Sequence, residues 1–273
     1  MKRLHTPTMA FLSLMLATAV SGCSKAESRQ GTGNTPTTQP GSSAEQSRGS
    51  TPGAAKADCG NLPSVDDLKK FLRSTPSESE AGGLMSGKME WATVVNRQGE
   101  ICGTAVATDD PSSAWPGSQA ISKAKAYTAN AFSTDATPLS TARLYTLTQP
   151  GHSLWGVAEP NPFNPECVVS PSDADKTKGR ICGGAIAFGG GLPLYRNQTR
   201  VGGLGVSGDT ACADHEIAKR IRHAAGLDPA KGQFVDDIVF TSVDGPSPFA
   251  HPLCANTWRN GKKLGDEAKA TTY

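Results

Sequence analysis

Two glycine-rich strings constrain the fold of this chain more than any other feature. The first covers 183–194 and reads GGAIAFGGGLPL, and the second covers 201–209 and reads VGGLGVSGD. Glycine weakens the interior of a strand, so repeated glycines indicate bulges or places where another backbone or a ligand comes close. We therefore expect strands at both strings and a close approach of another group to their backbone.

A third segment, KAKAYTA at 123–129, precedes both strings. In this order the three segments resemble the GlcG/HbpS-like haem-binding family, which also includes the C-terminal module of a corrinoid adenosyltransferase. The resemblance covers about 89–227, and the segments CADH (212–215) and FAHPLC (249–254) look like the extension of a larger extracytoplasmic branch. It implies an α/β fold in which an antiparallel sheet is flanked by helices in profilin-like layers, and it implies assembly into homo-oligomers.

Hydrophobic periodicity and turn residues predict the elements of this fold. Helices are predicted over 65–73, 118–132 and 214–225, and strands over 89–95, 101–107, 185–188 and 201–207. Asp214 is expected to cap the last helix, and Gly226 is expected to end it. The long insertion 151–180 is predicted to form a lid or an interface.

The first 22 residues are typical of a bacterial lipoprotein signal peptide. Lys2 and Arg3 precede an apolar stretch, 9–20, that is too short to span a bilayer. The stretch ends in VSGC, which resembles a lipobox, so we expect cleavage before Cys23 and acylation of Cys23 by palmitate-type chains. The alternative is an ordinary cleaved signal peptide. Because Ser24 rather than aspartate follows, the predicted location is the cell envelope, on the outer membrane and facing the periplasm or the surface.

Three parts of the chain are predicted from composition. The signal peptide covers 1–22, a disordered tether covers 23–57, and one domain with disulfide-stapled extensions covers 58–273. In the tether the only apolar residues after Cys23 are alanines, so nothing there offsets the entropy of ordering the chain.

The charge balance argues against nucleic acid as a partner. The chain has 27 Lys and Arg against 25 Asp and Glu, and loss of Lys2 and Arg3 with the signal peptide leaves 27 − 2 = 25. The mature protein is therefore close to neutral, and it has no basic run.

Cysteine usage supports export. Of seven cysteines, Cys23 is assigned to lipid, which leaves six for three disulfides in an oxidising compartment. The sequence alone does not fix their connectivity. We predict neighbouring pairs, because each pair then ties an extension to the central domain: Cys59–Cys102, Cys167–Cys182 and Cys212–Cys254. No structural zinc site is expected, since no C-x-x-C occurs and the histidines do not cluster in sequence.

A ligand pocket is predicted between the small-residue face of the 118–132 helix and the glycine backbone, where missing side chains leave room for a flat molecule. Lys125 is expected at the edge of that face, where its ammonium would meet a carboxylate such as a haem propionate. For Tyr127 and Thr128, packing against the sheet is the alternative. The predicted ligand-binding residues are Lys125, Tyr127, Thr128, Gly189, Gly190, Gly191, Gly205, Ser207, Asp209 and His215.

Two histidines are candidate ligands for haem iron. His215 is predicted at the rim of the pocket, on the polar side of its helix, and His152 lies on a loop that can fold over the same mouth. A solvated surface role is the alternative for each. His223 lies two turns from His215, so these two cannot share one metal ion.

Two enzyme-like patterns are set aside. Gly203-x-Gly205-x-x-Gly208 matches a dinucleotide fingerprint, but it lies within an apolar run and opens no helix. Ser207, Asp214 and His215 follow a hydrolase order, but adjacent Asp and His on a helix point apart by about 100°. No catalytic residue is predicted.

The leading hypothesis is therefore a non-enzymatic, lipid-anchored extracytoplasmic protein that binds haem or a related small planar ligand. Only the family resemblance indicates haem as the ligand. The alternatives are a structural or interaction lipoprotein without a ligand, and an enzyme that acts on haem or on a small acid.

Overall fold

A computed structural model describes residues 58–269, which belong to one compact unit. The predicted signal peptide, the tether and Cys23 lie outside the described residues. Within 58–269, no helix combines the length and the apolar character needed to cross a bilayer.

A four-stranded antiparallel sheet forms the centre of the domain. Its strands are β1 (Trp91–Asn96), β2 (Ile101–Val106), β3 (Gly191–Arg196) and β4 (Thr199–Ser207), in the order β2-β1-β4-β3. Short turns join β1 to β2 and β3 to β4, which makes both pairs antiparallel hairpins. With helices on both faces, this arrangement confirms the predicted fold class of an antiparallel α/β layer structure.

The helices that cover the sheet are α1 (Val65–Ser74), α2 (Ser118–Phe132) and α3 (Ala211–Ala224). The helices α1 and α3 pack on one face, whose alternate strand residues form the main apolar core with them. The helix α2 lies on the other face, against β1, β3 and β4. The core residues of the first face include Leu68, Leu72, Ala92, Val94, Leu192, Leu194, Leu204, Val206, Ile217 and Ile221.

The C-terminal extension adds small elements beside α3. A short strand β5 (Val239–Phe240) continues into a one-turn helix α4 (Thr241–Asp244), and β5 pairs in parallel with β6 (Ala250–His251). A last hairpin consists of β7 (Thr257–Arg259) and β8 (Lys262–Gly265).

All three predicted disulfides are confirmed. Cys59–Cys102, Cys167–Cys182 and Cys212–Cys254 have Cα–Cα distances of 5.6, 5.8 and 5.9 Å. The first ties the N-terminal segment to β2, the second closes the insertion, and the third ties the C-terminal extension to the start of α3.

One predicted strand is wrong. Residues 185–188 form no strand, and β3 begins at Gly191. The physical reason is the backbone around this run, since Gly183, Gly184 and Gly190 have φ values of 68°, 90° and 113°. An extended strand has negative φ, so these positions break the pairing on both sides of the apolar run.

The predicted cap of the last helix is also wrong. The helix α3 begins at Ala211, and its N-cap is Thr210, whose hydroxyl accepts from the Ala213 N–H at 3.3 Å. Asp214 lies in the first turn instead. At the other end, Gly226 follows the helix with a φ of 64°, as predicted.

The insertion 151–180 is tied to the rest of the domain by the Cys167–Cys182 disulfide and by contacts that include one buried lysine. It contains two short 3-10 helices, Pro165–Cys167 and Pro171–Thr177. Lys123 on α2 donates to the Cys167 carbonyl oxygen and to Gln119 Oε1, both at 3.0 Å. Burial lowers the pKa of Lys123 to about 8. The insertion therefore packs beside α2, while its Trp155 side chain is 65 % exposed.

Candidate functional site

The space predicted for a ligand, between α2 and the backbone of β4, is occupied by the helix. A Cβ atom on Gly203 would clash with the Ala126 carbonyl oxygen, and one on Gly205 would clash with the Ser122 carbonyl oxygen. The glycines therefore allow the α2 backbone to lie directly on the strand. We call this region the glycine slot. The close approach that the glycine pattern predicts is a contact between helix and sheet, and it takes up the room expected for a flat ligand.

Lys125 lies inside a buried charge cluster, whereas the sequence predicts it at the edge of the small-residue face. Its Nζ atom is 2.6 Å from Asp214 Oδ2 and donates to the Val206 carbonyl oxygen at 2.9 Å. The two charged side chains are 0 % and 2 % exposed. The carboxylate that this ammonium was predicted to meet is thus supplied by the protein itself, from the first turn of α3.

Glu90 belongs to the same cluster and was not predicted. It is fully buried, and its carboxyl group faces that of Asp214. Burial, and then the negative charge of Asp214, raise the pKa of Glu90 well above its usual range. A protonated Glu90 leaves Lys125 and Asp214 as a one-to-one ion pair.

Asp209, a predicted ligand residue, is used by the protein's own backbone. Its carboxylate accepts hydrogen bonds from the N–H groups of Leu84, Met85 and Gly87, at 2.6, 2.8 and 3.2 Å. The loop before β1 is therefore wrapped around this carboxylate. Ser207, at the end of β4, is buried.

Tyr127 and Thr128 point to different neighbours. The Tyr127 ring lies against Gly99 in the turn between β1 and β2. The Thr128 hydroxyl donates to the Ala124 carbonyl oxygen at 2.7 Å and accepts from the Ile186 N–H at 3.0 Å. These contacts support packing, the alternative that the sequence left open for both residues.

The 189–191 turn links the glycine slot to the C-terminal extension. Gly190 faces the buried cluster, since a Cβ atom on it would lie 2.7 Å from Lys125 Nζ. The Gly191 N–H donates to Thr141 Oγ1 at 2.9 Å. The Gly189 N–H donates to His251 Nε2 at 3.3 Å.

His215 lies in the interior and not at a rim. It is 0 % exposed, so its predicted place on the polar side of the helix is wrong. Its Nε2 atom is 3.2 Å from Asp237 Oδ1, but neither ring nitrogen makes a hydrogen bond among the described residues. Burial lowers the pKa of His215, against the opposing effect of Asp237. A ligand that reached this imidazole would first have to open the core.

His152 lies at the surface of the insertion. It is exposed, and its backbone N–H donates to the Gln149 carbonyl oxygen at 3.1 Å. His223 is also exposed and lies 2.6 Å from Asp228. The structure therefore does not bring either of these histidines to His215 or to the glycine slot.

A cavity of about 320 Å³ opens beside the 189–191 turn, in the C-terminal extension. We call it the His251 cavity. Its walls combine the Tyr145 ring and the apolar 250–253 segment, and hydroxyl groups stand at its rim. The residues that line it are Tyr145, Thr146, Thr241, Ser242, Ala250, His251, Pro252 and Leu253.

His251 presents a neutral imidazole to this cavity. The side chain is buried, with its ring centroid 5.0 Å from that of Tyr145 and 6.4 Å from that of Phe240. Its Nδ1 atom donates to the Pro252 carbonyl oxygen at 2.7 Å, which leaves the Nε2 lone pair for the weak bond from Gly189. Burial lowers the pKa of His251 to about 4. The ring is therefore neutral at pH 7, the state in which imidazole binds metal ions.

The two regions differ in how well they suit a haem group. In the glycine slot the Lys125 ammonium is already paired and His215 is sealed in the core, so that region does not fit haem. The His251 cavity has an aromatic wall, a neutral imidazole and a volume at the lower end of the range for small-molecule pockets.

Sequence reasoning missed Glu90, Tyr145 and the position of His251. The only available signal for His251 was its place between Ala250 and Pro252, three residues before a cysteine that pairs with the start of α3. Once the disulfide is known, that position shows that His251 lies close to Cys212, but it does not show that a cavity is present.

Comparison with known proteins gives the family. The profile described as "Haem degrading protein HbpS-like" matches residues 86–222. No match was found among curated proteins.

Several solved structures are similar to this chain. The PduOC:heme complex has 22 % identity and a TM-score of 0.42, over 61 % of this chain and 97 % of that one. The ORFY protein of Klebsiella pneumoniae has 21 % identity and a TM-score of 0.42, over 60 % and 90 %. A double mutant of HbpS from Streptomyces reticuli has 19 % identity and a TM-score of 0.36, over 64 % and 97 %.

The profile match covers half of the sequence and includes the sheet, α2 and most of α3. The chain belongs to the HbpS-like family.

Proposed function

We propose that this protein binds haem, or a related small planar ligand, in the His251 cavity. The observation that carries the proposal is a neutral, buried imidazole in the wall of an open cavity, in a chain of the HbpS-like family. Membership of the family suggests haem as the class of ligand. Within the described residues, the His251 cavity is a place where an imidazole borders open space beside an aromatic ring.

The chemistry of the cavity suits such a ligand. A flat ring that enters beside Tyr145 gains apolar burial, at about 25 cal/mol per Å² of apolar surface removed from water. The Tyr145 ring offers an aromatic face, and His251 would offer its Nε2 lone pair to iron in place of the weak bond from Gly189. The rim hydroxyls of Thr241 and Ser242 would form hydrogen bonds with the polar groups of the ligand.

We further propose that the protein works in the cell envelope, held to the outer membrane by acyl chains on Cys23. The VSGC tetrapeptide and the polar tether support this location, and so do three disulfides, which are typical of oxidising compartments. Mass spectrometry of the native protein should detect an acylated N-terminal Cys23. A mature chain that begins elsewhere, or an unmodified Cys23, would contradict the anchor.

The binding activity itself is tested by titrating the detergent-solubilised full-length protein with hemin. We expect a saturable change in the Soret absorbance at a stoichiometry of about one hemin per chain. The same titration in the presence of excess imidazole should show competition for iron. A linear, non-saturating response that matches free hemin would mean that the protein does not bind haem.

A further inference from the structure

The Cys212–Cys254 disulfide has a third metal-ligand group beside it. The two sulfur atoms and one ring nitrogen of His251 all lie within 4.8 Å of one another, and the three residues are buried. Two sulfurs and one imidazole are a ligand set that Zn²⁺ prefers in proteins. The histidines do not cluster in sequence, so this grouping exists only because β6 places His251 against the disulfide.

We propose that reduction of Cys212–Cys254 turns this group into a binding site for one thiolate-preferring metal ion, with Zn²⁺ as the probe. The ligands would be the two thiolates and His251, and a water molecule from the cavity would take the fourth position. The site shares His251 with the proposed haem binding and differs from it in the two thiolates, which exist only after reduction.

The conversion balances in electrons and protons. A dithiol reductant gives two electrons and two protons to the S–S bond, which breaks into two thiols, and the reductant becomes a disulfide. Metal binding then releases the two thiol protons to solvent. The charge of a divalent ion cancels that of two thiolates, so the loaded site is neutral, as a buried position requires.

The surroundings of the cysteines favour thiolates. Cys212 lies in the first turn of α3, a helix of 14 residues, where the helix dipole stabilises negative charge. Its backbone N–H donates to Cys254 Sγ at 3.2 Å. Each of these features stabilises the reduced, deprotonated form more than the disulfide.

His251 has a ring nitrogen that can bind a metal ion, and this side chain can be reached from the cavity. Its Nδ1 atom donates to the Pro252 carbonyl oxygen at 2.7 Å, so Nε2, which accepts only the weak bond from Gly189 at 3.3 Å, is the nitrogen that would bind the metal ion. The imidazole lines the His251 cavity, which supplies the route for entry. Within residues 58–269, neither Cys59–Cys102 nor Cys167–Cys182 has a comparable third ligand.

The test uses the full-length protein, treated with a phosphine reductant without oxygen and then titrated with Co²⁺ and Zn²⁺. We expect the reduced protein to bind one ion, with a thiolate-to-cobalt charge-transfer band that Zn²⁺ removes. The oxidised protein should show no such band. Circular dichroism before and after reduction checks that the domain keeps its fold.

Matched variants locate the site. C212S/C254S should abolish the cobalt band, and His251→Ala should weaken Zn²⁺ binding at least tenfold. C167S/C182S, which removes another buried disulfide, should bind as the wild type does. Equal binding by His251→Ala, binding by the oxidised protein, absence of binding after reduction, or loss of the fold on reduction would each overturn the proposal.

Discussion

The glycine slot and the His251 cavity lie on either side of the 189–191 turn, yet their physical character is opposite. In the slot, backbone atoms of α2 and β4 are in contact, and the charges of Lys125 and Asp214 are paired with each other. In the cavity, an aromatic ring and a neutral imidazole face open space. The slot lies within the part of the chain that the family profile matches, and His251 lies beyond it.

This difference shows what repeated glycines report. In this fold they mark where a helix approaches a sheet too closely for side chains, and the ligand-like space arises elsewhere, where a disulfide holds an extension against the start of α3. If this is correct, changes in the slot should act on stability, and changes in the cavity should act on binding.

The largest effect should come from Lys125→Met. The variant leaves Asp214 buried without its ion partner, and breaking a buried pair in this way costs about 3–5 kcal/mol. Urea unfolding of the purified protein measures the loss. Lys123→Met is the matched control on the same helix, because Lys123 contacts only neutral oxygens, and we expect it to cost about 1–3 kcal/mol. A similar loss in both variants would contradict a special role for the buried pair.

The next effect is a pH dependence of folding stability that arises from His251 in the cavity. His251 has a folded pKa of about 4, below an unfolded value of about 6.5, so the unfolded chain takes up the proton first as the pH falls. Stability should therefore fall between pH 7 and pH 4, by about 3 kcal/mol at most from this residue. His251→Gln removes this contribution, so its free energy of unfolding should depend less steeply on pH. Identical pH profiles for the two proteins would show that His251 is not buried in its neutral form.

A smaller effect is expected from Gly205→Ala. The new methyl group would lie 2.0 Å from the Ser122 carbonyl oxygen, which belongs to the backbone and cannot rotate away, so we expect a cost at the upper end of the about 1–3 kcal/mol typical of overpacking. Gly60→Ala is the control, since its Cβ would meet only Asp58 Oδ1 at 3.9 Å. Both folded variants should bind hemin as the wild type does. If folded Gly205→Ala alone bound hemin more weakly, the ligand would have to be assigned to the glycine slot.

Much of the fold could be predicted from the sequence. The helix 118–132 was predicted with the bounds that the structure has, because small and polar residues with helical periodicity define it without help from other parts of the chain. The strand at 185–188 was wrong because apolar character alone does not reveal the positive φ of the glycines that flank it.

The site was harder to predict, for a physical reason. A lysine at the edge of a helical wheel looks solvent-accessible, and only the tertiary structure shows that Asp214 reaches Lys125 from 89 residues away. For His251 the error is the opposite one: the residue lines a cavity, but nothing in its local sequence indicates this. Both outcomes depend on contacts between distant segments, which periodicity and composition do not encode.

The most direct test of this account is a hemin titration that compares wild-type protein with His251→Ala and His152→Ala. If the His251 cavity holds the ligand, His251→Ala should weaken binding at least tenfold, about 1.4 kcal/mol, and should shift the Soret band. His152→Ala, which changes an exposed histidine of the insertion, should leave both unchanged. Wild-type affinity and spectrum in His251→Ala, or a loss confined to His152→Ala, would contradict the assignment of the ligand to this cavity.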